Sequence, residues 1–305
     1  MNYLQKKRRW RAAFRGLIFI AAMPVAPAVT ASTLTFPQEG WVSWQVSAVA
    51  DAPSWCCFGP LMGNLDPKRQ SCELDGSEYG YGALDRHEMT DSIRVYARFG
   101  AGKLERVRAL AASCPVNAAS PIRTLNSVGT DESAKWLVDV VLKSTAGAAT
   151  VQRNRPSDAM AALAMHRGDA ARDALANFAR KHTNPSIRKD AAFWLAQVRG
   201  SEGAAIVLPL MFDDIDAGVR EHAAFAISQS KTAAAVPSLI KQGNTDRDTH
   251  VRSQAWFWLS QTQSEETESA IRAALQNEKD SRVREQAVFA LSRLPEDRAA
   301  RALML

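Results

Sequence analysis

Four cysteines and five histidines are all that 305 residues contain of those two types, and their placement excludes most of the chemistry they could serve. The cysteines are Cys56, Cys57, Cys72 and Cys114. They form no Cys-x-x-Cys, so neither the paired knuckles of common zinc sites nor a dithiol redox motif is present. The histidines are His87, His166, His182, His222 and His250, and no two make a His-x-x-x-His pair. Four of them fall on separate helical units, where a polar surface role is the default reading. The sequence also lacks a Gly-x-Ser-x-Gly elbow, a phosphate-binding loop and a dinucleotide fingerprint. Asp85, His87, Glu88 and Asp91 are the densest group of possible metal ligands, and they read as a solvated loop. No catalytic residue, cofactor or metal is assigned.

An excess of one charge is missing too, once the N-terminus is set aside. Residues 1–31 hold Lys6, Lys7, Arg8, Arg9, Arg11 and Arg15 and none of the 32 acids, which leaves 32 basic against 32 acidic residues in the remainder. The sequence pI of 9.3 therefore belongs largely to the leader. Nucleic-acid binding, which needs a basic surface, loses its support. Long apolar runs are equally scarce. Gly16 to Val29 is apolar but is interrupted by Pro24 and Pro27, too short for a comfortable membrane span. The basic start, this apolar stretch and the small residues Val29, Thr30 and Ala31 read as an export signal over 1–31. Arg8-Arg9 resembles a twin-arginine signal only in part, because Arg11 stands where an apolar residue belongs. The expected location is periplasmic or secreted, with membrane contact only through an uncleaved leader.

What the chain does have is one helical phrase written four times. Ile187, Val219, Val251 and Val283 each begin a copy, 32 residues apart, with alanine four places on and leucine or isoleucine eight places on. That stripe lies on one helix face. A constant period of this size marks a stacked solenoid. Asn184, Asp216, Asp248 and Asp280 precede the stripe by three residues and are good helix caps. Arg188, Arg220, Arg252 and Arg284 follow its first residue. An arginine ladder beside an aspartate ladder could face nucleic acid, but pairing within or between units is the preferred reading. Phe193, Phe225, Phe257 and Phe289 recur six residues after the aliphatic start, about 240° around the helix. They form either an exposed aromatic ladder or, as preferred, packing between neighbouring first helices, against Trp256 and its equivalents. Trp194 and Trp258 read as core filling at alternate units.

The pattern Asp-x-x-Val-Arg-x-x-Ala, with cap, arginine and stripe recurring together, resembles HEAT repeats of the short, phycobilisome-lyase-like bacterial kind. A degenerate copy begins at Asp158, 32 residues before Asp190. Second helices are expected near 170–181, 203–213, 232–242, 265–276 and 296–304. The resemblance implies a stack of helix pairs that offers a concave surface to a protein partner. Lyase activity is not carried over, because repeats are a scaffold. Arg172, Lys241 and Arg272, on the second helices, are candidates for that surface.

Residues 32–145 use a different language. Val42, Trp44, Val46 and Ala48 alternate with Trp41, Ser43, Gln45 and Ser47 as a strand with one buried face. Ile93, Val95, Ala97 and Phe99 alternate again. Gly100-Ala101-Gly102 offers a hairpin turn into Leu104 to Ala112, a second strand or a short helix. Asp131 to Leu142 reads as a helix with Trp136, Leu137, Val140 and Val141 on its apolar side. The fold class is mainly α: a leader over 1–31, a small β-rich domain over 32–145, and an α-solenoid over 146–305. The front domain is similar to the front module of exported bacterial HEAT-repeat proteins of unknown role. Its cysteines suggest disulfides, with Cys56 and Cys57 bonded separately to Cys72 and Cys114 in either order, since adjacent cysteines would close a strained ring. The function expected is an exported protein-binding scaffold; the alternative is an envelope redox or metal-handling protein acting through these four cysteines. The apolar ending Arg301 to Leu305 also allows self-association.

Overall fold

The computed structural model describes residues 34–56, 71–76, 82–83, 89–146, 156–230, 232–262 and 264–293. His87, the second helix expected at 296–304 and the apolar ending lie outside them, as does Cys57. All described residues belong to one compact unit, Ser32–Leu305.

Alternating apolar residues build a four-stranded sheet in the order β6-β5-β1-β8. Strand β1 (Gly40–Pro53) pairs antiparallel with β5 (Met89–Gly100), and β5 pairs antiparallel with β6 (Lys103–Ala111). The run from Leu104 is thus a strand. Ala101 and Gly102 turn it, both at positive φ, 48° and 71°, as a two-residue hairpin with the twist of the sheet requires. A short β8 (Ile122–Thr124) adds parallel to β1. Two further ladders join β2 (Trp55–Cys56) to β4 (Gly82–Ala83) and β3 (Cys72–Glu73) to β7 (Val116–Asn117).

The sheet differs from the one-faced strand expected in β1. Trp41 and Ser43 are as buried as Val42 and Trp44. The reason is a second small core on the far face, where Trp41 packs with Cys56, Cys72, Leu74, Tyr96, Leu110 and Cys114. Cys56 and Cys114 are joined by a disulfide with Cα atoms 5.6 Å apart, and Cys72 is disulfide-bonded as well. Asp75 ties this side together. It accepts from the Trp41 indole, the Ala119 amide and Arg98.

Eleven helices follow in the described residues: α1 (Thr130–Ala146), α2 (Pro156–Met165), α3 (Asp169–Lys181), α4 (Pro185–Val198), α5 (Gly200–Val207), α6 (Leu210–Asp213), α7 (Ala217–Gln229), α8 (Ala235–Thr245), α9 (Thr249–Gln261), α10 (Glu265–Asn277) and α11 (Ser281–Ser292). The second helix expected at 203–213 is broken in two at Leu208–Pro209, since proline removes a helical hydrogen bond and crowds the preceding turn. Pro237 is harmless in the first turn of α8. Caps come from the expected residues: Asn184, Asp216, Asp248 and Asp280 each accept from amides of the first turn.

The helices form two layers. One holds α2, α4, α7, α9 and α11 side by side; the other holds α1, α3, α5–α6, α8 and α10. The stripes Ile187/Ala191/Leu195, Val219/Ala223/Ile227, Val251/Ala255/Leu259 and Val283/Ala287/Leu291 are buried between them. Helix α2 also packs on β1 and β6, so one apolar core runs from the sheet into the helices.

That junction decides the fate of His166. It was expected on the surface, yet it is fully buried, because an isolated bridge pairs it with Ala48 of β1. Its Nδ1 lies 2.7 Å from the Ala162 carbonyl and its Nε2 2.8 Å from Ser133 Oγ, which accepts from the Trp44 indole. With Nδ1–H donating to the carbonyl, Nε2 accepts from the serine and the ring is neutral. Burial first, then the nearby Arg199 charge, lower its pKa to about 4 against the opposing Ala162 bond.

Candidate interaction surface

The arginine ladder faces inward. Arg188 donates from Nε and Nη2 to Asp214 at 2.8 Å, and Arg220 does the same to Asp246 at 2.8 Å. Arg252 grips Glu278 at 3.0 and 3.3 Å. Each guanidinium also donates to a carbonyl six residues earlier: His182, Asp214 and Asp246. The acid is therefore not the cap aspartate but the residue two before it. It accepts in turn from the cap's own amide, as Asp246 does from Asp248 at 2.8 Å. For Asp214 and Asp246, burial opposes ionisation, but the arginine and amide bonds outweigh it and lower the carboxyl pKa. Arg188, Arg220 and Arg252 each fasten their own loop to the next through these pairs, whereas Arg284 at the end of the ladder is exposed. The signal was in the sequence: Asp214, Asp246 and Glu278 also recur every 32 residues.

Arg172, Lys241 and Arg272 lie in the opposite layer, each held by its neighbours. Arg172 bridges Asp169, Asp173 and Glu202. Lys241 sits 4.3 Å above the Phe212 ring, and Arg272 lies 3.9 Å from Glu268.

The outward face of α4, α7, α9 and α11 is built differently. Residues 190, 193 and 197 fall on one side of α4, away from the buried stripe, and their 32-residue equivalents do the same on α7, α9 and α11. The result is three parallel rows. The first reads Asp190, His222, Gln254, Gln286; the second Phe193, Phe225, Phe257, Phe289; the third Gln197, Gln229, Gln261, Arg293. Trp256 is completely buried, and among the described residues the ring contacts of the phenylalanines are to other rings than its own. The phenylalanines pack on one another and on Trp194 and Trp258, which are partly buried and lie against the edge of the core. Centroid separations are 5.8 Å for Phe193–Phe225, 4.7 Å for Phe225–Trp258, 4.8 Å for Trp258–Phe257 and 6.4 Å for Phe257–Phe289. At one end Trp194 meets Trp55 of β2 at 5.8 Å. At the other, Phe289 is 47% exposed. Ring-to-ring packing and exposure thus coexist in one continuous rail. Trp256 itself takes the space left by Gly243, where a Cβ would lie 2.5 Å from its ring.

Polar neighbours give the rail two different ends. Asp190 is half-buried, and burial and the Asp158 charge raise its pKa to about 6. Trp194 beside it donates to Ser157 at 3.0 Å. His222 lies tilted against Phe225 with centroids 5.5 Å apart, and burial and Lys189 lower its pKa. Gln197 Nε2 is buried with no acceptor among the described residues. Arg293 closes the third row at the far end and is exposed. The glutamine row was missed in the sequence, although its period was there to be read.

A family model described as HEAT repeats matches residues 172–256 and 239–304. Residues 172–304 are HEAT repeats. The match covers every unit that carries the rail, while the front sheet and α2 precede it. No curated protein matches the chain. Among solved structures, human deoxyhypusine hydroxylase in complex with glycerol is 13% identical, with 57% of this chain and 89% of that chain covered at a TM-score of 0.25; at that score the likeness carries no argument. Among the described residues there is no group of three or more potential metal-binding His, Cys, Asp or Glu side chains, and no helix is long and apolar enough to cross a membrane. The three described cysteines are buried and disulfide-bonded, so none presents a thiolate.

Proposed function

We propose that this HEAT-repeat protein is an exported scaffold that binds a protein partner along the aromatic face of α4, α7, α9 and α11. One observation carries the reading: partly exposed aromatic rings in mutual contact run across four successive units and end on the exposed Phe289. Rings on a rigid helical layer offer contact area at little ordering cost, and aromatic residues are enriched where interfaces bind most strongly. Export is supported by the basic and apolar character of residues 1–31 and by the disulfide between Cys56 and Cys114, a bond of oxidising compartments.

Photo-crosslinking amino acids placed at Gln229 and Phe289 of the full chain, expressed in its own cells, test the reading. A discrete protein adduct is expected from both positions and none from Arg172. Equal adducts from Arg172, or none from the face, overturn it. Mass of the recovered protein should show loss of residues 1–31; retention of the leader overturns the export reading.

A further inference from the structure

The last arginine of the ladder makes only half of the staple. Arg188, Arg220 and Arg252 each grip a carbonyl six residues earlier and a carboxylate 26 residues later, in the loop before the next helix of the layer. Arg284 keeps the first contact: its Nη1 donates to the Glu278 carbonyl, six residues earlier, at 3.3 Å. The guanidinium is thus turned toward the loops as the others are. No carboxylate among the described residues pairs with it. The Glu278 side chain is taken by Arg252, and Glu285, next in sequence, lies about 100° around the helix. Val288 is one turn further on the same side of α11. It is 45% exposed, whereas its 32-residue equivalents Ala192, Ala224 and Trp256 are completely buried.

The chain's own staples define what fits there. Asp214, Asp246 and Glu278 each stand two residues before a helix cap, and each accepts from the cap's amide as well as from the arginine. A carboxylate held in that way is already oriented for a guanidinium, which favours a two-bonded, charge-assisted pair. A second copy of this chain does not offer one. Its three loop acids are engaged within the chain. At the other end of the ladder the equivalent position is His182, whose Nδ1 accepts from the Asn184 amide at 3.1 Å. We infer that the terminal face of α11 docks a helix of a different protein, one whose preceding loop places a carboxylate on Arg284 and whose apolar side covers Val288. This surface is separate from the aromatic face and does not depend on it.

A labelled peptide of residues 277–292 is the probe, because it carries Glu278, the Asp280 cap and the helix that meets Arg252 within the chain. Fluorescence anisotropy with the full chain is expected to show saturable binding. Glu278→Gln in the peptide, or Arg284→Gln in the chain, is expected to weaken it by at least about tenfold, as loss of one partner of a hydrogen-bonded charge pair does. Arg284 is exposed, so the variant chain should keep its circular dichroism. Val288→Asp is expected to weaken binding as well. Absence of saturable binding overturns the inference. So does binding indifferent to Arg284→Gln, the result expected if the peptide displaces α11 from Arg252 or lies elsewhere. A dimer of the full chain in sedimentation that Arg284→Gln dissociates also overturns it, by giving the face to a second copy. Cross-links on the aromatic face are read separately, so either proposal can fail while the other stands.

Discussion

Arg220 and Asp246, 26 residues apart in the chain, meet through two hydrogen bonds of 2.8 Å, and both side chains are almost completely buried. Removal of one partner leaves a desolvated charge, which costs far more than the pair itself contributes. Arg220→Ala is expected to destabilise the fold by about 3–5 kcal/mol in urea melts. The effect should fall along the ladder. Arg252 and Glu278 are more exposed, and Arg284 is exposed and, among the described residues, bonds only the Glu278 carbonyl. Equal losses for Arg220→Ala and Arg284→Ala would contradict the staple.

His166 predicts an acid-sensitive fold. Its folded pKa of about 4 lies below the ordinary 6.5, so the folded state prefers the neutral ring. The stabilisation is fully present above about pH 6.5 and is lost as pH falls toward 4. It amounts to about 3 kcal/mol, readable as a falling urea midpoint over that window.

Asp190 acts with the opposite sign. Its folded pKa of about 6 exceeds the ordinary 3.8, so ionisation costs the fold stability as pH rises from about 4 to 6. Asp190→Asn should raise the urea midpoint at pH 7 and steepen the acid loss caused by His166. An unchanged pH profile would show that the carboxyl is not strained in this way.

Gly243→Ala should drive a methyl group into the Trp256 ring and cost about 1–3 kcal/mol by overpacking. Trp256→Leu in the same chain should recover part of it, a coupling that a double-mutant cycle in urea measures. Additive losses would place the strain elsewhere.

Cutting the Cys56–Cys114 bond releases a loop spanning a separation of 58 residues, worth about 4 kcal/mol of unfolded-chain entropy. Cys56→Ala with Cys114→Ala is expected to lower the melting temperature of the whole unit, because one core joins sheet and helices. A separate low-temperature transition for the sheet alone would show that the two parts melt independently.

Local rules were enough for much of this molecule. The 32-residue period, the Asp caps, the hairpin at Ala101–Gly102 and the buried Val–Ala–Leu stripes follow from backbone hydrogen bonding and helical or strand periodicity, which depend on near neighbours in the chain. Tertiary structure decided the rest. It took Arg220 to Asp246 rather than to Asp248, buried His166 under β1, covered both faces of the sheet at Trp41, and set Trp256 rather than Trp194 or Trp258 in the core. These outcomes turn on which surfaces meet across more than twenty residues of chain, and burial there is set by the partner surface, not by the residue's own pattern. The rail of Phe193, Phe225, Phe257 and Phe289 belongs to both: its period was written in the sequence, and its mixture of ring contact and exposure came from the packing of one helix beside the next.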